Sequence, residues 1–145
     1  MAAASQPLRL VVNFDCSLAF LQRLCRDMSV RGAQAARPVL MYHWTASDNH
    51  DKIEDSNFRI PKCAQDVKNA NAYGAGVYLS TGCATTKQRF GAGAERGILC
   101  LVLPGRMYNN DTQGMQRTQQ RGYDSAVFWR GTGYVVFNQD QVLPC

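Results

Sequence analysis

The sequence predicts an α+β domain built around a mainly antiparallel β-sheet. Apolar residues recur at helical spacing near residue 20, and short apolar runs separated by turn residues fill the second half of the chain. A length of 145 residues, with 46% hydrophobic and 19% charged residues, is typical of one globular domain. We therefore predict a single domain over residues 1–145, with residues 1–6 frayed.

The first half of the chain is predicted to hold the helices. Residues 8–14 form an apolar run and are predicted to be a strand. A helix follows, with Asp15 or Ser17 as its N-cap. Its predicted apolar face consists of Leu18, Leu21, Leu24, Cys25 and Met28. Residues 38–43 are predicted to be a second strand, and Ser47 is predicted to cap a short helix that contains Ile53.

The second half of the chain is predicted to consist of short strands and loops. The strand signal is clearest at residues 98–103, which form an apolar run. Further strands are predicted within residues 74–80, 126–129 and 134–137 and around Val142. Loops are predicted at 58–71 and 104–122, and a turn of helix at 85–90.

Composition limits the classes of partner. The net charge of +5 is spread along the chain, which favours an anionic ligand without indicating nucleic-acid binding. The sequence predicts no membrane span and no secretory signal, and therefore a cytoplasmic or nuclear protein. Six cysteines without a C-x-x-C pair, and two histidines, predict free thiols and no metal site. Cys16 and Cys100 are predicted to be small buried hydrophobic residues.

Two familiar enzyme patterns are only partly matched by the sequence. Residues 91–97 resemble a dinucleotide-binding glycine motif, but the glycines are one residue too far apart and a strand follows where a helix is required. His43 and His50 could suggest a hydrolase, but no serine lies in a G-x-S-x-G sequence. Neither reading is retained.

Three segments, taken in order, carry a more specific pattern. They are Leu40-Met-Tyr-His-Trp-Thr45, then Tyr73-Gly-Ala-Gly-Val-Tyr-Leu-Ser80, and then Gly122-Tyr-Asp-Ser125 with Gly133-Tyr-Val-Val-Phe-Asn-Gln-Asp-Gln-Val-Leu-Pro144. Together they resemble the catalytic domain of the poly(ADP-ribose) polymerase family of ADP-ribosyltransferases, over about residues 38–144. The resemblance implies an ADP-ribosyltransferase-like fold with a split, mainly antiparallel sheet and a few short helices. It also implies NAD⁺ as the donor substrate, without a metal.

The resemblance assigns roles to the first two segments. His43 would hydrogen-bond to the adenosine ribose, and Thr45 would support this strand end. Trp44 stands where the family usually has Gly, at the position whose main chain pairs with the nicotinamide amide, so that its indole would narrow the pocket. Tyr78 would stack on the nicotinamide ring, since an aromatic side chain holds a flat ring at low entropic cost. His43 and Tyr78 are the predicted catalytic residues.

For the other predicted cofactor contacts, the sequence leaves alternatives open. Gly74 and Gly76 would let the backbone approach the ligand, or they mark a β-bulge. Thr86, with Thr85 as the alternative, would contact the amide, and Phe90 would supply the second aromatic ring.

One position departs from the family pattern. Polymer-forming relatives carry Glu directly before the Tyr-Val-Val strand, where this chain has Gly133. Glycine has no side chain that could polarise the ribose or act as a base. Asp140 lies past the strand and is not an automatic substitute. The departure implies transfer of single ADP-ribose units and not synthesis of a polymer.

The leading functional hypothesis is therefore an NAD⁺-dependent mono-ADP-ribosyltransferase that acts as a monomer on a protein or nucleic-acid acceptor. One alternative is a module that binds NAD⁺, ADP-ribose or a nucleic acid without turnover. Another is an NAD⁺ glycohydrolase, with water as the acceptor. Arg106, Arg117 and Arg121 in the polar loop would help to select the acceptor, unless the loop is simply solvated.

Overall fold

The computed structural model describes residues 13–60, 72–82, 96–111 and 118–145. Two α-helices and seven β-strands lie within these ranges. The helices are α1 (Phe14–Arg31) and α2 (His50–Ser56), and the strands are β1 (Val39–Trp44), β2 (Val77–Ser80), β3 (Gly97–Val102), β4 (Met107–Asn109), β5 (Ser125–Phe128), β6 (Gly133–Val136) and β7 (Val142–Pro144). Short 3₁₀ helices cover Ser47–Asn49 and Gln139–Gln141.

The described strands form one sheet in the order β4-β5-β6-β2-β1-β3-β7. All neighbours are antiparallel except β4 and β5. Between β1 and β2 the register consists of the single pair Tyr42 and Ser80, whereas β1 and β3 pair along six residues. The predicted α+β class and the mainly antiparallel sheet are confirmed, and the sheet is only narrowly joined at the β1–β2 junction.

Each face of the sheet carries its own apolar cluster, because side chains alternate along a strand. We name the Met41 face after its most buried β1 residue, and here Ile53 and Phe58 cover strand residues such as Cys100 and Val136. We name the other the Phe128 face. Its buried residues are Tyr108, Ala126, Phe128, Val135 and Phe137, with Tyr73, Tyr78, Tyr123 and Trp129 packed against them.

Helix α1 begins at Phe14, the last residue of the predicted strand 8–14. Asn13 is its N-cap: the side-chain oxygen accepts a hydrogen bond from the Cys16 N–H at 3.1 Å. The strand prediction is therefore wrong at Phe14, and its residues 8–12 lie outside the described ranges. The predicted caps Asp15 and Ser17 are wrong too, since both lie inside the helix.

The buried face of α1 is not the predicted apolar one. Its buried residues are Cys16, Phe20, Arg23 and Asp27. The side chains of Leu18, Leu21, Cys25 and Met28 are exposed, and that of Leu24 is half-buried. Helical spacing located a real apolar stripe, but this stripe faces away from the sheet.

Ion pairs explain this orientation. The Arg23 guanidinium, only 6% exposed, lies 2.7 Å from Asp140, 2.9 Å from Asp124 and 3.5 Å from Asp27. Asp124 also accepts hydrogen bonds from Arg31 at 2.6 Å and from the Arg106 N–H at 2.8 Å. A buried charge is tolerated only when it is paired in this way. The ion pairs therefore hold the polar face of α1 against the protein.

The same contacts lower the pKa of the Asp124 carboxyl. Partial burial acts to raise this pKa, but the hydrogen bonds from Arg106 and Arg31 and the positive charges of Arg31 and Arg23 outweigh it. Asp124 therefore stays ionised as the counter-ion of both arginines.

The other elements predicted within the described residues are confirmed, with two corrections. The helical turn at 85–90 and residues 61–71 of the predicted loop 58–71 lie outside the described ranges. The predicted loop 104–122 is wrong over Met107–Asn109, which form β4 alongside β5. With Tyr108 alone buried, so short a strand gives little alternation to detect. Ser47 is not a cap: it opens a 3₁₀ helix whose N-cap is Ala46.

The remaining described features agree with the sequence analysis. Cys16, Cys25, Cys100 and Cys145 are free thiols, and Cys16 and Cys100 are buried as predicted. Burial raises the pKa of both buried thiols. Among the described residues, no helix is both long and apolar enough to cross a bilayer.

Replacing Arg23 should destabilise the fold far more than replacing its helical neighbour Arg26. Arg23→Ala removes the buried counter-ion of Asp27 and leaves Arg31 as the only arginine that we find paired with Asp124 among the described residues, and we expect a loss of about 3–5 kcal/mol. Arg26 is 59% exposed and lies 3.8–4.0 Å from the acids that it faces, so Arg26→Ala should cost below about 1 kcal/mol. Urea unfolding of both variants measures the difference, and equal losses would contradict a special role for Arg23.

Candidate functional site

The fold brings the three motif segments together. β1 covers the first segment up to Trp44, β2 forms the end of the second segment, and β6 lies in the third. β2 lies between the other two strands, pairing with β1 through Ser80 and with β6 from Val77 to Ser80. The candidate site is therefore the junction of β1, β2 and β6, where the sheet is most narrowly joined.

His43 connects the first two segments directly. Its Nδ1 lies 2.7 Å from the carbonyl oxygen of Tyr78. Its ring meets the Phe58 ring edge-on, with centroids 4.8 Å apart. These contacts fix both the position and the rotation of the imidazole.

The protonation state of His43 follows from these surroundings. Burial is the main cause that lowers the pKa of the imidazole to about 4. The hydrogen bond to the Tyr78 carbonyl acts to raise this pKa, and the nearby His50 acts to lower it. The ring is therefore neutral near pH 7. A carbonyl oxygen can only accept, so Nδ1 carries the proton and donates it, and Nε2 is left as an acceptor. His43 is thus suited to receive a hydrogen bond from a hydroxyl group of a ligand.

Tyr78 is held by its hydroxyl as well as by its strand. The hydroxyl donates to the Gly74 carbonyl at 2.7 Å and accepts from the Tyr73 N–H at 3.0 Å. Burial is the main cause that raises its pKa to about 12. Tyr78 therefore stays protonated at neutral pH, and its part would be to offer a ring surface.

His43 and Tyr78 meet through side chain and main chain, not ring to ring. The His43 ring packs on Phe58, which belongs to the Met41 face. The Tyr78 ring packs in the cluster of the Phe128 face, 6.0 Å from the Phe128 ring centroid. A ligand that contacted both rings would have to lie at the β1–β2 junction.

Trp44 and Thr45 have structural contacts in the described protein. The Trp44 indole lies over Gly97 of β3, where an added Cβ would be 2.8 Å from the indole Cε2. β3 lies on the far side of β1 from β2, so the ring leans away from Tyr78. The Thr45 hydroxyl accepts a hydrogen bond from the Asn49 side chain at 2.9 Å, and its support of the His43 strand stays a prediction.

The two motif glycines have different surroundings. Gly74 has a φ of +108°, a conformation that favours glycine. At Gly76, an added Cβ would collide with the Val136 carbonyl of β6. Gly76 therefore allows two strands to approach closely, and ligand contact by either glycine stays a prediction.

Gly133 is backed by an aromatic ring. An added Cβ at this position would collide with the ring of Phe128, its partner on β5. Phe128 has no exposed surface, and the Tyr73 ring stacks on it at 4.1 Å with an interplanar angle of 11°. The space into which a side chain at 133 would point is therefore filled by the apolar core.

Phe58, Tyr73 and Phe128 shape this region, and the sequence analysis assigned a site role to none of them. Tyr73 opens the second motif, so its position beside Gly74 was a usable signal. Phe58 and Phe128 carried no such signal. Thr85, Thr86 and Phe90 lie outside the described residues, and their predicted roles stay predictions.

A separate cleft of about 580 Å³ opens between α1 and the end of α2. It is lined by the polar residues Asn13, Asp15, Asp55, Ser56, Asn57, Asn138, Gln139 and Asp140, with Cys16 and Ala19. It shares no residue with the β1–β2–β6 junction. Within the described part of the chain, no three His, Cys, Asp or Glu residues come together in a way that could hold a metal ion.

Comparison with known proteins adds no relative. The chain matches no protein-family model and no curated protein sequence at a significant level. The family resemblance therefore depends on the motif residues of the sequence.

Because His43 is neutral in the folded chain, we expect the free energy of unfolding to decrease as the pH is lowered. The folded-state pKa of about 4 lies below the ordinary 6.5. Below pH 6.5 the unfolded chain therefore binds a proton that the folded chain refuses. Stability should decrease from about pH 6.5 to about pH 4, and this contribution should level off below.

The His43→Gln variant isolates that contribution. Urea unfolding across the same pH range should give a flatter curve for the variant than for the wild type. In the wild type, the NMR signals of the His43 ring should titrate near pH 4. A His43 titration near 6.5 would contradict the buried, Nδ1-protonated imidazole.

The contact between Gly133 and Phe128 predicts strong coupling between the two positions. Gly133→Ala should cost about 1–3 kcal/mol, because the new methyl group overpacks the core. In a Phe128→Val background the ring is gone, so the same change should be neutral or slightly stabilising. A double-mutant cycle by urea unfolding measures this coupling. Additive effects would show that the ring does not confine position 133.

Proposed function

We propose that this chain binds NAD⁺ and transfers a single ADP-ribose unit from it to an acceptor, with release of nicotinamide. The hydrogen bond between the His43 ring and the Tyr78 main chain carries the proposal, because it joins two motif segments that are 35 residues apart in sequence. The third segment is paired with the second along β6. The same adjacency supports an ADP-ribosyltransferase-like fold.

The chemistry of His43 fits a ribose contact. Nε2 of a neutral imidazole accepts hydrogen bonds, and a ribose hydroxyl donates them. Because the Tyr78 carbonyl fixes the tautomer, this acceptor is oriented before a ligand binds, which reduces the entropic cost of binding. Tyr78 would then offer its ring to the nicotinamide.

The proposed reaction breaks one bond and forms one. The bond between the nicotinamide nitrogen and C1 of its ribose breaks, and its electron pair leaves with nicotinamide. The ribose carbon passes through an oxocarbenium-like state, as in other glycosyl transfers. A lone pair of the acceptor then forms the new bond to C1, and any proton on the acceptor atom passes to solvent.

The residues present favour an acceptor that needs no base. Gly133 has no side chain, and Tyr78 holds its proton because burial raises its pKa to about 12. A carboxylate is already ionised and can attack without losing a proton. The net charge of +5 also attracts acidic acceptors. Protein Asp and Glu side chains are therefore the acceptor class that we propose.

A second candidate function is binding of NAD⁺ or ADP-ribose without turnover. The packing of Phe128 behind Gly133 favours this alternative, because the aromatic core fills the position from which relatives polarise the ribose. Such a module would keep the hydrogen bond between His43 and the ribose but would not break the bond between nicotinamide and ribose.

Isothermal titration of the protein with NAD⁺, followed by mass spectrometry of the incubated mixture, separates these functions. We expect binding, and the mass of one ADP-ribose added to the protein or to an acidic peptide. His43→Ala should weaken binding roughly two- to tenfold, since it removes one hydrogen bond. Ile98→Val is the matched control, because Ile98 lies opposite His43 on β3 and contributes packing only.

The other outcomes are equally informative. Binding without nicotinamide release would establish the binding module, and free ADP-ribose as the sole product would establish a glycohydrolase. An unchanged dissociation constant for His43→Ala would remove His43 from the site. Absence of binding at millimolar NAD⁺ would refute both candidate functions.

A further inference from the structure

The outer face of α1 carries a regular apolar stripe. Phe14, Leu18, Leu21, Cys25 and Met28 follow one another at intervals of four and three residues. This is the spacing of the a and d positions of a coiled coil, which form a narrow seam along a helix. The same residues are exposed, with 76% of Phe14, 45% of Leu18, 52% of Leu21 and 43% of Met28 open to solvent.

The stripe cannot turn inward without breaking the ion pairs. Arg23 and Asp27 lie on the opposite side of the helix and are tied to Asp124 and Asp140. A helix held rigidly with its apolar seam outward offers a preformed surface for another helix. Contiguous apolar surfaces of this kind mark interaction sites.

We propose that α1 pairs with α1 of a second copy of this chain, in antiparallel orientation. An antiparallel pair centred on Leu21 places Leu18 beside the partner's Cys25, and Phe14 beside the partner's Met28. Each apolar residue of the seam then faces another one. This assembly differs from the monomer that the sequence predicts.

Charge favours this orientation. The first turn of α1 carries Asp15, whereas Arg26 lies in its second half and is 59% exposed. In the antiparallel pair, Asp15 of one copy lies beside Arg26 of the other, because both residues flank the seam on the same side. Opposed helix dipoles add to this preference. In a parallel pair, Asp15 of one copy would lie across the seam from Arg26 of the other and at a different height along the axis, so this attraction would be lost.

The expected dimer is weak, because the seam covers only about two heptads. Sedimentation velocity over a wide concentration range should show the mass rising from 16.1 kDa towards twice that value. Leu21→Glu places a charge at the centre of the seam and should leave a monomer at every concentration. Leu40→Glu is the matched control, since Leu40 is 55% exposed on β1, away from α1, and should still dimerise.

Cross-linking tests the register. In the antiparallel pair the two Cys25 residues are offset by about eight residues, or about 12 Å along the axis, which is too far for a disulfide. Leu18→Cys would place its new thiol beside the partner's Cys25, and diamide should oxidise this pair to a covalent dimer. Cys25→Ser in the same variant should abolish it.

Each contrary result overturns a defined part of the proposal. A wild-type protein that stays monomeric at all concentrations, or a Leu21→Glu variant that still dimerises, refutes the α1 interface. A wild-type protein that cross-links through Cys25 alone refutes the antiparallel register. None of these measurements depends on NAD⁺, so they stand or fall apart from the proposed function.

Discussion

The buried guanidinium of Arg23 is the constraint on which the arrangement of α1 depends. It connects the helix to Asp124, just before β5, and to Asp140, in the 3₁₀ helix that precedes β7. β5 is the second strand from one edge of the described sheet, and β7 is the strand at the other edge. One side chain thus joins the helix to segments that lead into strands far apart in the sheet, and fixing its position decides which face of α1 meets solvent.

Most of the described strands were predictable because their signal is local, whereas the short β4 was not. Residues 98–103 form a short apolar run, which is typical of a buried strand, and the structure has β3 at Gly97–Val102. The face of α1 was not predictable in the same way. Its docking depends on carboxylates about 100 residues away in sequence, at Asp124 and Asp140, and helical spacing says nothing about such partners. An apolar stripe was therefore read as the core face, although the buried face contains an arginine.

The candidate site shows the same division. Motif order predicted that His43, Tyr78 and Gly133 belong to one region, and strand pairing places β1, β2 and β6 side by side. The side chains that pack around each motif residue could not be predicted from the sequence. That Phe128 lies against Gly133 follows from the register of β5 and β6, which alternation within either strand does not specify. Phe58 follows α2 in the chain and packs against His43 of β1. The sequence does not specify this contact between two elements.

The packing of Phe128 limits which side chains could stand at Gly133, the position where polymer-forming ADP-ribosyltransferases carry Glu. If Gly133 were simply an empty position, one substitution could restore a carboxylate. The neighbouring ring is buried and stacked on Tyr73, so a side chain at 133 would have to displace part of the core. Restoring the carboxylate would therefore require a compensating loss of aromatic volume at 128, and that loss would itself weaken the Phe128 face. The glycine and the ring support each other, which makes this arrangement of β5 and β6 stable as a unit.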